Sequence, residues 1–164
     1  MFPTIAKIFV SCLFLAGCQT IDLDIDQYKV TKIYIDKSDR ELFLLSNNIV
    51  LRKYDIALGF DPIGHKRFQG DGKTPEGIYK INRKNPQSMF KLSLGIDYPN
   101  KQDRDFARRH GKDPGGDIFI HGQDIKEPYK AISDWTYGCI AVSDVEIEEI
   151  FKFVSVGTVV EIVP

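Results

Sequence analysis

The chain is poor in cysteine, with three in 164 residues, has one tryptophan and two methionines, and carries no excess of either charge. Its 22 Lys and Arg stand against 23 Asp and Glu. So few cysteines exclude a disulfide-stapled scaffold. The balanced charge gives no basic surface for nucleic acid, which is not expected as a partner. No apolar run reaches the ~20 residues that a spanning helix needs. No H-x-x-E-H, H-E-x-x-H or C-x-x-C pattern sets His65, His110 or His121 in zinc-ligand spacing. Lys73-Thr74 follows Gly72, but the glycine that a phosphate loop requires five residues earlier is Arg67. Internal repeats and low-complexity segments are also missing.

What is present begins at the N-terminus. Residues 1–17 hold one Lys, no acid and an apolar stretch over 8–16, the pattern of an export signal. Leu15-Ala16-Gly17-Cys18 resembles a bacterial lipobox, in which the thiol after the small residues takes the lipid. Cleavage before Cys18 is expected, leaving 147 residues of 164 and, with Lys7 gone, 21 basic against 23 acidic groups. That length suits one domain with its own core. Residues 18–29 then read as the lipidated Cys and a short tether, with Ile21, Leu23 and Ile25 alternating with aspartates, and residues 30–164 as the domain. From Cys18 to Val30 an extended chain reaches only ~40 Å at ~3.3–3.6 Å per residue, which keeps the domain near its membrane. Gln19, not Asp, follows the lipid site, so the expected location is the periplasmic face of the outer membrane.

Beyond residue 30 the pattern is mainly β. Segments 30–35, 41–45 and 49–58 are rich in Ile, Val, Leu, Tyr and Phe, with hairpin connections at 36–40 and 46–48. Further strands are predicted at 77–82, 90–95, 117–121 and 158–163. Many short strands in one small domain favour a β-sandwich or mixed β fold. Two short helices interrupt them. One is polar, over 100–110. The other opens on Ser143-Asp144-Val145-Glu146, a capping box, and carries Ile147, Ile150, Phe151 and Val154 at helical spacing before Gly157.

Exported cysteines normally pair, but with Cys12 lost and Cys18 lipidated, Cys139 is left as the single free thiol. A buried inert Cys is one reading; a nucleophile is the other. A thiol of pKa ~8.5 needs a base or a positive field to attack. His121, which ends a predicted strand, is the candidate base, and Gly122 after it permits close approach of another segment. Gly138 suits a tight turn whose amides can serve an oxyanion. The helix that starts at residue 144 adds a modest positive potential, under ~1 kcal/mol.

These residues carry a resemblance. Ile120-His121-Gly122 followed by Thr136-Tyr137-Gly138-Cys139-Ile140 is similar to the signature of the L,D-transpeptidase catalytic domain (YkuD-like) family, HG then (S/T)-x-G-C-(I/V). Gly70-Asp-Gly-Lys-Thr-Pro-Glu-Gly77 resembles an upstream segment of the same family, and together the matches span residues 30–163. The resemblance implies a YkuD-like β fold, Cys139 as nucleophile and His121 as base with its second ring nitrogen held by a backbone carbonyl. It also implies that Gly122, Thr136 and Gly138 support substrate and oxyanion. One departure stands out: many members place Arg after the Cys-Ile pair, where this chain has Ala141. Arg104, Arg108 and Arg109 on the polar helix are candidates to replace it, or form a solvated basic face.

A papain-like peptidase places Cys before His, and a sortase needs an Arg after the Cys, where none occurs beyond Arg109. The expected activity is therefore cysteine-dependent acyl transfer on peptidoglycan stem peptides through a Cys139 thioester, with no metal or cofactor. The acceptor is an amine of a neighbouring stem or of a protein. The alternatives are a hydrolase of the same fold, which trims stems or releases wall-linked lipoprotein, and a non-catalytic wall-binding lipoprotein.

Overall fold

A computed structural model of the chain describes residues 24–123 and 134–164. The expected signal, Cys18 and residues 19–23 lie outside the described residues, as do residues 124–133. Among the described residues, eight strands and two α-helices follow a short 3-10 turn at Ile25–Gln27: β1 (Lys32–Asp36), β2 (Glu41–Ser46), β3 (Ile49–Asp55), β4 (Gly77–Ser88), β5 (Lys91–Ile96), α1 (Lys101–Arg109), β6 (Phe119–His121), β7 (Ile140–Ala141), α2 (Asp144–Phe153) and β8 (Val159–Val163).

The strands form one sheet in the order β3-β2-β1-β8-β4-β5-β6-β7. Strand β4 belongs to both halves of it. Its first residues, Gly77 to Lys80, pair antiparallel with β8, and after Ile81 the register shifts and the strand pairs with β5. Strands β1 and β8 run parallel, as do β6 and β7. Beyond β3 the chain stays extended and meets the far edge of the sheet. The amides of Ala57 and Ala141 exchange two 2.9 Å hydrogen bonds, Phe60 N donates to Thr136 O and Thr136 N to Leu58 O. The sheet is thereby closed on itself, and both halves bury a common core.

Period-two alternation makes that core. Ile33 and Ile35, Leu42 and Leu44, Tyr79 and Ile81, and Val160 and Ile162 all point inward, joined by Leu94, Ile120 and Ile140. Each such side chain contributes about 1.5–3 kcal/mol when fully buried. Helix α2 has the expected capping box, Ser143 with Glu146, and α1 opens on another that the sequence reading did not include, Asn100 with Asp103. Ile147 and Ile150 bury one face of α2, while Glu149 ties the other to β3 through Arg52 and the Tyr54 hydroxyl.

The mainly β class with two short helices holds. Several details differ from the sequence reading, among them β4, which runs on to Ser88 past the predicted end at 82 because its second half pairs with β5, and β6, which starts at Phe119 and not at 117. The third strand stops at Asp55, because residues 57–59 bond the opposite edge of the sheet instead of β2. The two-residue β7 carries too little pattern to be seen. Helix α2 ends at Phe153, with Val154 as its C-cap in an extended conformation, before the turn at Gly157. At the start of the described residues, Ile25 is buried in the core and Asp26 pairs with Lys152.

Candidate active site

The parallel pairing of β6 and β7 sets Ile120 beside Ile140 and His121 beside Ala141. Because side chains alternate, the two isoleucines enter the core, while His121 and Cys139 share the other face. Both line a cavity of about 380 Å³ whose other walls include Asn85, Phe90, Asp117 and Phe119. A more open cavity of about 780 Å³ lies apart, between α1, β4 and the end of β8, and no cysteine lines it.

Cys139 is partly buried and free. Its thiol donates to Asp117 O at 3.6 Å and its sulfur accepts the Phe119 N–H at 3.4 Å, so the backbone at the entry to β6 holds it on both sides. Burial pushes the thiol above its ordinary value, and the nearby Asp117 carboxylate adds to this; the Phe119 amide and Lys66 oppose it.

His121 is held more tightly. Its Nδ1 lies 2.6 Å from Gly122 O. A carbonyl only accepts, so Nδ1 carries the proton and Nε2 is left as the basic nitrogen. The Phe90 ring stacks on the imidazole at 4.6 Å, and Trp135 meets it edge-on at 5.8 Å. Burial lowers the His121 pKa; the Gly122 carbonyl works the other way. At pH 7 the pair is thus a neutral thiol beside a neutral imidazole. On balance both shifts favour this neutral pair over a resting thiolate and imidazolium.

The supporting residues act through the backbone. Thr136 Oγ1 accepts from Gly138 N at 3.1 Å and donates to Cys139 O at 2.7 Å, which closes the turn that carries Cys139. Gly138 has φ +119°, and a Cβ there would lie 2.5 Å from Lys73 O. Gly122 gives its N–H to Phe90 O and Leu92 O, and a Cβ on it would meet Asp144 Oδ1 at 2.6 Å and Ile147 at 2.9 Å. The first turn of α2 packs there, with Asp144 and Glu146 in it.

The Gly70 to Gly77 segment is the backing wall of this turn. The Asp71 carboxylate accepts from the amides of Arg67, Phe68 and Lys73 and from the Lys66 ammonium. Thr74 Oγ1 accepts from Gly59 N at 3.1 Å. Gly59 was not singled out from sequence, yet a Cβ on it would lie 2.0 Å from Gly72 O. Asp134 was also missed: its Oδ1 accepts from Leu58 N, and Arg40 pairs with it. Phe90 gave no motif signal, and Trp135, the one tryptophan, stands directly before the Thr136–Ile140 motif without belonging to it.

The arginines of α1 do not reach the site. Arg104, Arg108 and Arg109 are exposed; Arg108 pairs with Asp105 and Arg104 bonds Pro99 O, and none lines the Cys139 cavity. They form the solvated face of a surface helix. Ala141 is fully buried, its backbone bonded to Ala57. Among the described residues no cluster of His, Cys, Asp and Glu is arranged to hold a metal ion.

Comparison with known proteins bears on the family and the fold. The chain is 33% identical over 108 residues to YafK of Escherichia coli K12, named among the L,D-transpeptidases, a match covering 65% of this chain and 38% of that one. Its fold is similar to the helical cell shape determining protein Pgp2 of Campylobacter jejuni, with TM-score 0.61, 26% identity, and coverage of 82% and 48%. It is similar also to the L,D-transpeptidase of Mycobacterium smegmatis, with TM-score 0.56, 14% identity, and coverage of 81% and 58%. The chain thus spans less than three fifths of the length of each of these relatives. The model of the YkuD L,D-transpeptidase catalytic domain matches residues 31–162, and the chain belongs to that family.

Proposed function

We propose that this protein performs cysteine-dependent acyl transfer on peptidoglycan stem peptides. The observation that carries the reading is the placement of Cys139 and a backbone-oriented His121 on one cavity wall, with Nε2 of the imidazole left as base. In this reading Nε2 takes the thiol proton as sulfur attacks the carbonyl of the third, meso-diamino residue of the stem. The tetrahedral intermediate collapses and expels the terminal D-Ala, whose amine receives the proton from His121. A Cys139 thioester remains. An amine from a neighbouring stem or a protein Lys then attacks, His121 again accepting the proton, and the thiol is restored.

Since Gly138 N–H is engaged by Thr136, the next amide of the turn, that of Cys139, is assigned to the developing oxyanion. Thr136, Gly138 and Gly122 support the reaction by fixing nucleophile and base. The similarity to a cell-shape protein supports a role in remodelling the wall. Lipidation of Cys18 is part of the proposal, with the enzyme on the periplasmic face of the outer membrane. With Ile25 docked in the core, the six residue steps from Cys18 to Asp24 bound the reach of the tether at ~20 Å.

The test is mass spectrometry of muropeptides incubated with the purified protein. Crosslinked products are expected. Stems shortened by one residue, without crosslinks, would instead establish the hydrolase, and unchanged muropeptides would leave a wall-binding protein.

A further inference from the structure

Arg83 stands on the stretch of β4 that follows the register shift, two residues before Asn85 and four before Gln87, both of which line the Cys139 cavity. Its neighbour Lys84 faces the other way, bonding Phe151 O and Val154 O beside α2. The Arg83 guanidinium lies 4.6 Å over the Phe119 ring and pairs with Asp117 Oδ1 at 2.7 Å. Phe119 and Asp117 are themselves cavity walls, and their backbone groups are the two that hold the Cys139 sulfur.

The cation is fixed in place yet loosely partnered. Stacking on Phe119 restrains the guanidinium, and Gly95, paired with Arg83 across the sheet, leaves room for its stem, since a Cβ there would lie 2.9 Å from Arg83 Cγ. The ion pair, however, is open to water: the Arg83 side chain is 46% exposed and that of Asp117 is 85% exposed. A pair so exposed holds weakly and exchanges readily for another carboxylate. Other cations near this region are committed elsewhere, Lys66 to Asp71 and Phe68 O, and Lys91 to Glu148.

We propose that Arg83 is the carboxylate-binding residue of the Cys139 site: a carboxylate of the acyl donor displaces Asp117 and takes the guanidinium fork, which presents its carbonyl to the thiol. The planar fork suits bidentate capture of a carboxylate, which an ammonium does not offer. The assignment rests on the acyl-transfer reading for the identity of the donor, a stem peptide that ends in a free carboxylate. The recognition of a carboxylate beside Cys139 does not depend on that reading.

Two alkylating agents that differ only in charge separate the two claims. Iodoacetate and iodoacetamide each react with Cys139 by forming an S–CH2 bond and expelling iodide, the thiol proton passing to His121 or buffer. The full chain is treated with each, and the rate is read by mass spectrometry on the peptide that contains Cys139. Arg83→Gln is expected to lower the iodoacetate rate about tenfold, the scale of one charge-assisted hydrogen bond, and to leave the iodoacetamide rate unchanged. Arg83→Lys should restore part of the difference, and Asp117→Asn should raise the iodoacetate rate relative to iodoacetamide. An unchanged ratio in Arg83→Gln, or an equal fall in both rates, overturns the proposal. If the ratio moves as expected while stem peptides are not turned over, the acyl-transfer reading fails and the carboxylate site stands. If stems are turned over, Arg83→Gln should raise KM for a donor with a free terminal carboxylate and not for its amide; equal effects on both would also overturn it.

Discussion

Phe90 lies face to face with His121, ring centroids 4.6 Å apart and planes 30° from parallel, and its carbonyl accepts the amide of Gly122, whose own oxygen holds His121 Nδ1. One residue of the β4–β5 turn thus desolvates the imidazole and supports the peptide that orients it. Phe90→Ala should let water reach the imidazole, and since burial lowers the His121 pKa, its loss raises it. The acidic limb of the rate profile for Cys139 alkylation should therefore move to higher pH, with only a small loss of stability because Phe90 is itself 36% exposed. An unmoved limb would show that Phe90 does not set the basicity of His121.

His65 makes a second prediction. Its Nδ1 accepts Glu76 N–H at 2.8 Å and its Nε2 donates to Asp103 at 3.1 Å, an arrangement that requires the neutral ring. Burial lowers its pKa below the ordinary 6.5, with Arg67 adding to the effect. A histidine depressed in the folded state is protonated first in the unfolded chain, so stability should fall as pH drops below about 6.5. His121 acts in the same direction. Thermal melts from pH 7.5 to 5 should show the decline, and His65→Gln should be less stable at pH 7.5 and flatter below. A wild-type melting temperature that is constant across this range would contradict the assignment.

Thr136 is buried and satisfies both Gly138 N and Cys139 O. Thr136→Val strands two backbone groups, a cost of about 1–3 kcal/mol each if no water enters. It should lower kcat or the alkylation rate at Cys139 by more than it raises KM, whereas Thr136→Ser should stay near wild type. Equal activity of the Val and Ser variants would remove the hydroxyl from the account.

Lipidation is tested by location. With Cys18 acylated and Gln19 behind it, the wild type should fractionate with the outer membrane and Cys18→Ala should not. Recovery of the wild type in the soluble periplasm or at the inner membrane would contradict this.

How much of this was legible beforehand differed by element. The strands with strict alternation, such as Lys32–Asp36 and Glu41–Ser46, and the helix with the Ser143–Glu146 box, were readable because each is specified by its own neighbours in sequence. That His121 and Cys139 come together at one cavity was readable through their motif. What escaped was set by distant contacts. Gly59 is small because Gly72 and Gly138 crowd it, and Phe90 matters because a turn from another hairpin reaches His121. The failure of Arg104, Arg108 and Arg109 as site residues has the same origin: charge on a helix says nothing about which cavity the helix borders, and α1 borders the other one.

The central claim, that Cys139 attacks a strained or peptidic carbonyl with His121 as base, is tested most directly by intact-protein mass spectrometry with a carbapenem. The wild type should gain one covalent adduct, located on Cys139, and Cys139→Ala none. His121→Ala should acylate more slowly by a factor of about 10²–10⁴, the usual share of a general base. An adduct on another residue, or equal rates with and without His121, would contradict the dyad.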